Sequence, residues 1–217
     1  MKSLSNRTHY ALSVDCVVFG FKEQTLNVAL IERKNPPFQG HWAIPGGFIE
    51  EEETVEEAAI RELQEETGIA DLYLEQFHVF SEPGRDPRGR VITVAFFALV
   101  NAGEYTLTAS QDAAKAQWWP MDALPEVAFD HREIIDMALE ALRDAVNKKP
   151  IVFALLPKEF TLSALQKLYE EIFGIEMDKR NFRKKMVDQG YICPLGKKTK
   201  GEQHRPAELY GFIEPKY

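Results

Sequence analysis

Glu62, Glu65 and Glu66 stand three and four residues apart, a spacing that returns side chains to one face of a helix. Like charges at these spacings repel, and Glu65 and Glu66 fall in a last helical turn, where the dipole disfavours negative charge. A solvated face would carry Lys or Arg there. Three carboxylates that meet both penalties are accounted for by a hard divalent cation among them. Oxygen donors of this kind suit Mg²⁺, which keeps several waters and binds substrate phosphates at the same time. The competing explanation is an acid-rich surface helix, and the flanking residues weigh against it.

Those flanks define the helix that must position the glutamates. Thr54-x-x-Glu57 has the form of a capping box, and Gly68 sits where a helix ends in a left-handed residue. Ala59, Ile60, Leu63 and Thr67 share an arc expected to pack on the core. The complete frame is Gly47, five residues, Glu53, seven residues, Arg61-Glu62-Leu63, Glu65-Glu66 and Gly68-Ile69. It resembles the Nudix box, with every fixed position of that motif filled. The resemblance implies an α+β chain whose Nudix domain is an α/β/α sandwich around a mixed sheet. It implies Glu62, Glu65 and Glu66 as metal ligands and catalytic groups, with Arg61 and Glu53 orienting the helix and Gly47 shaping the ligand loop. The implied cofactor is Mg²⁺, with Mn²⁺ as the alternative. The implied reaction is hydrolysis of a nucleoside diphosphate linked to another group.

Composition bounds the rest. A chain of 217 residues with 45% hydrophobic and 11% aromatic residues builds one or two folded domains. Cys16 and Cys193 lie far apart without metal-ligand spacing, which favours free thiols in a reducing cytosol. No apolar signal core and no run of 18 apolar residues is present, so a cytoplasmic protein without a membrane partner is expected. The net charge of −8 is uneven: residues 1–149 carry 14 basic against 25 acidic side chains, and residues 150–217 carry 12 against 9. Within 178–205 the count is 9 against 3, a local surplus that suits nucleic acid.

Along the chain, Tyr10–Phe21 and Thr25–Arg33 read as strands joined by a short hairpin loop. Arg33 ends the second strand, either as an edge charge or as a phosphate contact of the kind related proteins place there. Leu72–Phe80, Val91–Val100 and Gln117–Trp119 are further strands, and His131–Asn147 is an amphipathic helix closing a first domain over 1–149. Between the third and fourth strands, R-D-P-R-G reads by default as a solvated turn. It also resembles the loop of Nudix proteins acting on ADP-ribose, which implies Arg85 and Arg88 as ligand contacts. Glu104, Asp112 and Asp122 remain equal candidates for a further catalytic carboxylate.

The second domain, 150–217, reads as a short strand at Ile151–Leu156, a helix capped by Thr161 and stopped by Gly174, and a second helix capped by Asp178. On the second helix Phe182 and Met186 face inward, with Arg180, Asn181, Arg183 and Lys184 outside. Two strands at Gly190–Cys193 and Glu208–Ile213 then flank a loop carrying Lys197, Lys198, Lys200 and Arg205. That order is the layout of a winged helix-turn-helix, whose second helix enters the DNA major groove while the wing meets phosphates. The tail is similar to that of the Nudix-related transcriptional regulators. The resemblance implies a homodimer on an inverted-repeat DNA site, with an ADP-ribose-like ligand. A plain ADP-ribose pyrophosphatase whose tail serves dimerisation or regulation is the other reading.

Overall fold

The computed structural model describes residues 10–70, 72–109, 113–199 and 206–213. Long apolar strands dominate the first part. β1 (Ala11–Lys22) and β2 (Thr25–Arg33) form a hairpin whose turn residues Glu23 and Gln24 both have positive φ. β3 (Trp42–Ala43) and β4 (Gly46–Phe48) follow in the Pro/Gly-rich stretch, then α1 (Val55–Thr67), β5 (Tyr73–Phe80), β6 (Val91–Val100), β7 (Ala113–Pro120) and α2 (His131–Lys148). The strands build a seven-stranded mixed sheet in the order β3-β2-β1-β6-β5, with β4 beside β1 and β7 beside β2. Only the β1–β6 pairing, at its centre, is parallel among the named pairs of this sheet.

Alternation along β1 and β6 creates two apolar faces. Val14, Cys16 and Val18 with Val94, Phe96 and Ala98 take Ala58, Ala59 and Leu63 of α1. Val17, Phe19 and Phe21 with Ala95, Phe97 and Leu99 take Ile134, Ile135, Ala138 and Leu142 of α2. This is the expected helix–sheet–helix sandwich.

The second part comprises β8 (Phe160–Thr161), α3 (Leu162–Phe173), α4 (Lys179–Asp188), β9 (Ile192–Lys198) and β10 (Glu208–Phe212), with a three-stranded sheet in the order β8-β10-β9. The helix starts are chemical: Thr161 accepts from the Ala164 amide at 3.1 Å and Asp178 from the Asn181 amide at 2.9 Å. The two parts are packed through one continuous core. It runs from Val17 and Leu142 to Leu165, Ile172, Phe182 and Tyr210. Across the junction, the Leu26 amide donates to Glu171 (3.3 Å) and Arg143 Nε donates to the Ile172 carbonyl (2.6 Å). No helix among the described residues is long and apolar enough to cross a membrane.

Three local expectations are corrected. Ile151–Leu155 is a 3-10 helix, not a strand: Pro150 lacks an amide to join a sheet, and a five-residue apolar run does not distinguish the two by periodicity. Ile60 is 49% exposed, because α1 is rolled so that Ala58 and Glu66 are buried in its place, while Ala59, Leu63 and Thr67 pack inward as expected. β9 extends through Lys198, so Lys197 and Lys198 sit on a strand and not in a loop.

Candidate functional site

The glutamate helix is fastened at both ends. Glu57 N donates to Thr54 Oγ1 (3.2 Å) and Thr54 N to a Glu57 carboxylate oxygen (2.8 Å), completing the capping box, and Gly68 adopts φ 74° at the C-cap. Between them, Arg61 organises the carboxylates. Its Nε and Nη2 grip Glu53 (3.0 and 2.5 Å), its Nη1 reaches Glu62 (2.8 Å) and Glu65 (3.4 Å), and its Nη2 also donates to the Phe48 carbonyl (3.1 Å). Glu66, 8% exposed, accepts from the Gly46 amide at 2.9 Å. A side chain at Gly47 would start 2.1 Å from a Glu62 oxygen, so only glycine lets that carboxylate lie against the loop.

Electrostatics follow from these partners. The Arg61 hydrogen bonds, with one from the Glu50 amide, hold Glu53 at about 2. Glu62 is pushed the other way, above its usual range, because burial outweighs the help from Arg61. A half-buried Glu62 whose desolvation Arg61 only partly offsets, beside Glu65 and a buried Glu66, is a donor set that fits a hard divalent cation. As the side chains stand, no three acidic, His or Cys groups among the described residues converge closely enough to hold one. Arg61 lies between Glu62 and Glu65.

Next to Gly46 and Gly47 opens a small cavity of about 120 Å³ with an open mouth to solvent. Arg33, Arg85, Arg88, Phe129, Asp15 and His131 are among its lining residues. The three arginines differ sharply in commitment. Arg85 is tied inward, with two hydrogen bonds of 2.7 Å to Asp130 and one of 3.4 Å to Asp15, and its side chain is 6% exposed. Arg88 is clasped by Asp86 but half open to solvent, over the rings of Phe48 (5.0 Å) and Phe129 (5.5 Å). Arg33 lies over Phe129 (4.9 Å) and donates to the Pro37 and Asn35 carbonyls; no carboxylate among the described residues is within ion-pair distance. Burial and the nearby Arg88 charge both lower its pKa.

Asp15, Phe129 and His131 were missed in the sequence. Asp15 alone carried a signal, as the one charged residue inside the apolar stretch of β1. Phe129 has φ 53°, an unusual conformation for an aromatic residue, and packs on Phe38 and His131. Of the extra carboxylates, Glu104 pairs with Asn101, neither it nor Asp122 lines the cavity, and Asp112 lies outside the described residues.

On the other part, Phe182 and Met186 are buried, while Arg180, Asn181, Arg183 and Lys184 form the exposed arc of α4. Arg183 approaches Glu208 at 4.0 Å, and Lys197 is engaged by Glu159. Lys198 is exposed at the end of β9; Lys200 and Arg205 lie outside the described residues.

Residues 9–138 match the NUDIX domain family, and residues 152–212 match the NrtR DNA-binding winged helix domain. Over 210 residues the chain is 35% identical to the ADPR responsive transcriptional repressor NtrR of Acinetobacter baylyi, covering 95% of this chain and 83% of that one. The chain belongs to the Nudix-related transcriptional regulators. This regulator also superposes on the Shewanella oneidensis NrtR crystallised with a 27mer DNA, with a TM-score of 0.79, 33% identity and 93% of each chain covered. Its Nudix part is 46% identical over 127 residues to the ADP-ribose pyrophosphatase of Methanocaldococcus jannaschii, covering 58% of this chain and 72% of that one.

Proposed function

We propose that this protein is a DNA-binding transcriptional regulator that takes ADP-ribose, or a closely related nucleoside diphosphate, in its Nudix cavity and hydrolyses it with Mg²⁺. The observation that supports this reading is the coexistence of two candidate sites on one chain. The glutamates of the motif stand beside a cavity whose Arg33 has no carboxylate partner among the described residues, and an exposed cationic helix stands on a winged-helix layout. Relatives named for ADPR response and for ADP-ribose hydrolysis support the ligand class.

In this reading Glu62, Glu65 and Glu66 hold the cation, which supplies charge neutralisation on the diphosphate and a more acidic attacking water. Arg33 and Arg88 hold phosphate oxygens through planar donors, and Gly47 leaves room for the Glu62 carboxylate. Arg85 acts through Asp130 and Asp15 and shapes the cavity floor without gripping ligand. The products are AMP and ribose 5-phosphate. Arg180, Asn181, Arg183 and Lys184 read base edges in the major groove, while Lys197, Lys198, Lys200 and Arg205 meet the backbone. The unit boundary falls at 149/150, and the protein works in the cytoplasm as a homodimer on an inverted repeat.

Ligand can alter DNA binding only by favouring one arrangement of the protein over another. Two elements span the distance. β2 runs from Arg33 at the cavity to Leu26 beside Glu171 of α3, and α2 runs from His131 at the cavity to Arg143 beside Ile172. Fluorescence anisotropy on fragments upstream of the chain's own gene, titrated with ADP-ribose, tests the reading. A fragment bound well above random duplex, with affinity changed by ADP-ribose, is expected. Binding no tighter than random duplex at physiological salt, with or without ADP-ribose, overturns the regulator. The second reading, a plain hydrolase, is favoured by the complete glutamate set and would then stand.

A further inference from the structure

The cavity floor is polar where the rest of its sheet face is not. On this face β1 presents Val17, Phe19 and Phe21, and β6 presents Ala95, Phe97 and Leu99. At the cavity end the same alternation brings Ser13 and Asp15 on β1, with Thr93 on β6 as the register partner of Ser13. The Thr93 hydroxyl is buried with no hydrogen-bond partner among the described residues. Above this layer sits His131, 5% exposed, the first residue of α2.

The chemistry of His131 is set by its backbone neighbour. The Ile44 amide donates to Nδ1 at 3.1 Å, so Nδ1 is an acceptor and carries no proton. With Nδ1 unprotonated the ring is neutral, and burial, with Arg85 and Arg33 nearby, lowers its pKa against the opposing charges of Asp15 and Asp130. The single ring proton is therefore on Nε2. That N–H has no hydrogen-bond acceptor among the described residues; Asp15 Oδ1 is 3.7 Å away, beyond a direct bond. Asp15 spends its other oxygen, Oδ2, on Arg85. Among the described residues an unmet donor and an unmet acceptor thus lie side by side, 3.7 Å apart, where one oxygen atom seated against both, at about 2.8 Å from each, would meet the two.

We infer that Asp15 and His131 form a subsite for a sugar hydroxyl of the ligand, which accepts from His131 Nε2–H and donates to Asp15 Oδ1. A hydroxyl can do both at once. A phosphate oxygen without a proton cannot donate, and Asp15 would repel it. The cavity is accordingly polarised: Arg33 and Arg88 attract the diphosphate, and the floor orients ribose. This inference rests on the reading that the cavity takes ADP-ribose, and it names the part of the ligand each side recognises.

The test is His131→Asn, whose side-chain oxygen can still accept from the Ile44 amide while nothing reaches the Nε2 position. Calorimetry without Mg²⁺ compares ADP-ribose, ADP (which lacks the terminal ribose) and 2′,3′-dideoxy-ADP (which lacks all sugar hydroxyls). The variant should bind ADP-ribose about tenfold or more weaker and 2′,3′-dideoxy-ADP unchanged. Unchanged ADP binding assigns the subsite to the terminal ribose, and a matching loss on ADP assigns it to the adenosine ribose. Nitrogen-15 NMR of the wild type at neutral pH should show a neutral ring protonated at Nε2. Equal weakening on all three ligands, no weakening on any, or a ring protonated at Nδ1 would overturn the subsite. A wild type that binds no ADP-ribose would bring down the ligand reading and the subsite together, whereas intact binding with unaltered discrimination removes the subsite alone.

Discussion

On α1, Arg61 by itself engages Glu53, Glu62, Glu65 and the Phe48 carbonyl; on α4, Arg180 and Lys184 have no ion-pair partner among the described residues. The cavity region repeats the first pattern, with Asp130 and Asp15 closing around Arg85 and Asp86 around Arg88. Both regions are rich in charge, so the difference lies in what the charge must do. A site that hydrolyses or discriminates a small ligand needs donors and acceptors at fixed distances, with little water between them. A surface that meets a DNA backbone gains affinity by releasing counterions, which asks for solvated cations on a rigid support. Phe182 and Met186 supply that support by burying the opposite side of α4.

The largest effect should come from cutting the committed region. Arg85→Ala leaves Asp130 and Asp15 facing each other unpaired in a buried place, and should cost about 3–5 kcal/mol in denaturant unfolding. A cost below about 1 kcal/mol would mean that Arg85 is free to serve ligand after all, which erases the contrast with α4.

Glu65→Gln and Glu66→Gln should each slow release of AMP from ADP-ribose by at least about a hundredfold, since a metal-held water supplies several kcal/mol. Glu66→Gln keeps an oxygen for the Gly46 amide, so the fold should hold and DNA binding without ligand should be unchanged. Product at the wild-type rate in either variant would remove that glutamate from the site.

On the solvated side, Arg183→Ala should relax preference at one base position of each half-site, by about 1–3 kcal/mol. Lys198→Ala should weaken all sequences alike and flatten the salt dependence by about one unit. Neither should move thermal stability beyond about 0.5 kcal/mol, as both side chains are exposed. A large stability loss from either would show that α4 or β9 is held by its charges, as α1 is.

The smallest effect is a pH dependence from His131. Its folded pKa lies below the ordinary value, so the unfolded chain takes up the proton first. Stability should therefore begin to fall as pH drops below about 6.5 and continue down to the folded pKa. In His131→Asn that portion of the slope should vanish. A slope identical to wild type would place the acid sensitivity elsewhere.

Much of this could be read in advance where the cause is local. Thr54, Glu57 and Gly68 specify the ends of α1 within its own span, and Thr161, Gly174 and Asp178 do the same for α3 and α4. The inward setting of Phe182 and Met186 followed from helical spacing alone. Local rules failed where a neighbour from another element took over. Ile60 had the right spacing for the core, yet the roll of α1 was settled by Glu66 reaching Gly46 across 20 residues. Arg85 and Arg88 looked equivalent three residues apart, and the fold turned one inward and left the other half open.

By itself the sequence determined the pattern of elements, the acidic face of α1 and the cationic face of α4, because periodicity and capping act over a few residues. Tertiary structure decided which charges are spent. Arg85 finds Asp130 and Asp15 at separations of 45 and 70 residues, and His131 meets Ile44 across 87. Such partners are chosen by sheet register and by the cost of leaving a buried charge or ring nitrogen unmatched, and neither is written into any short stretch of the chain.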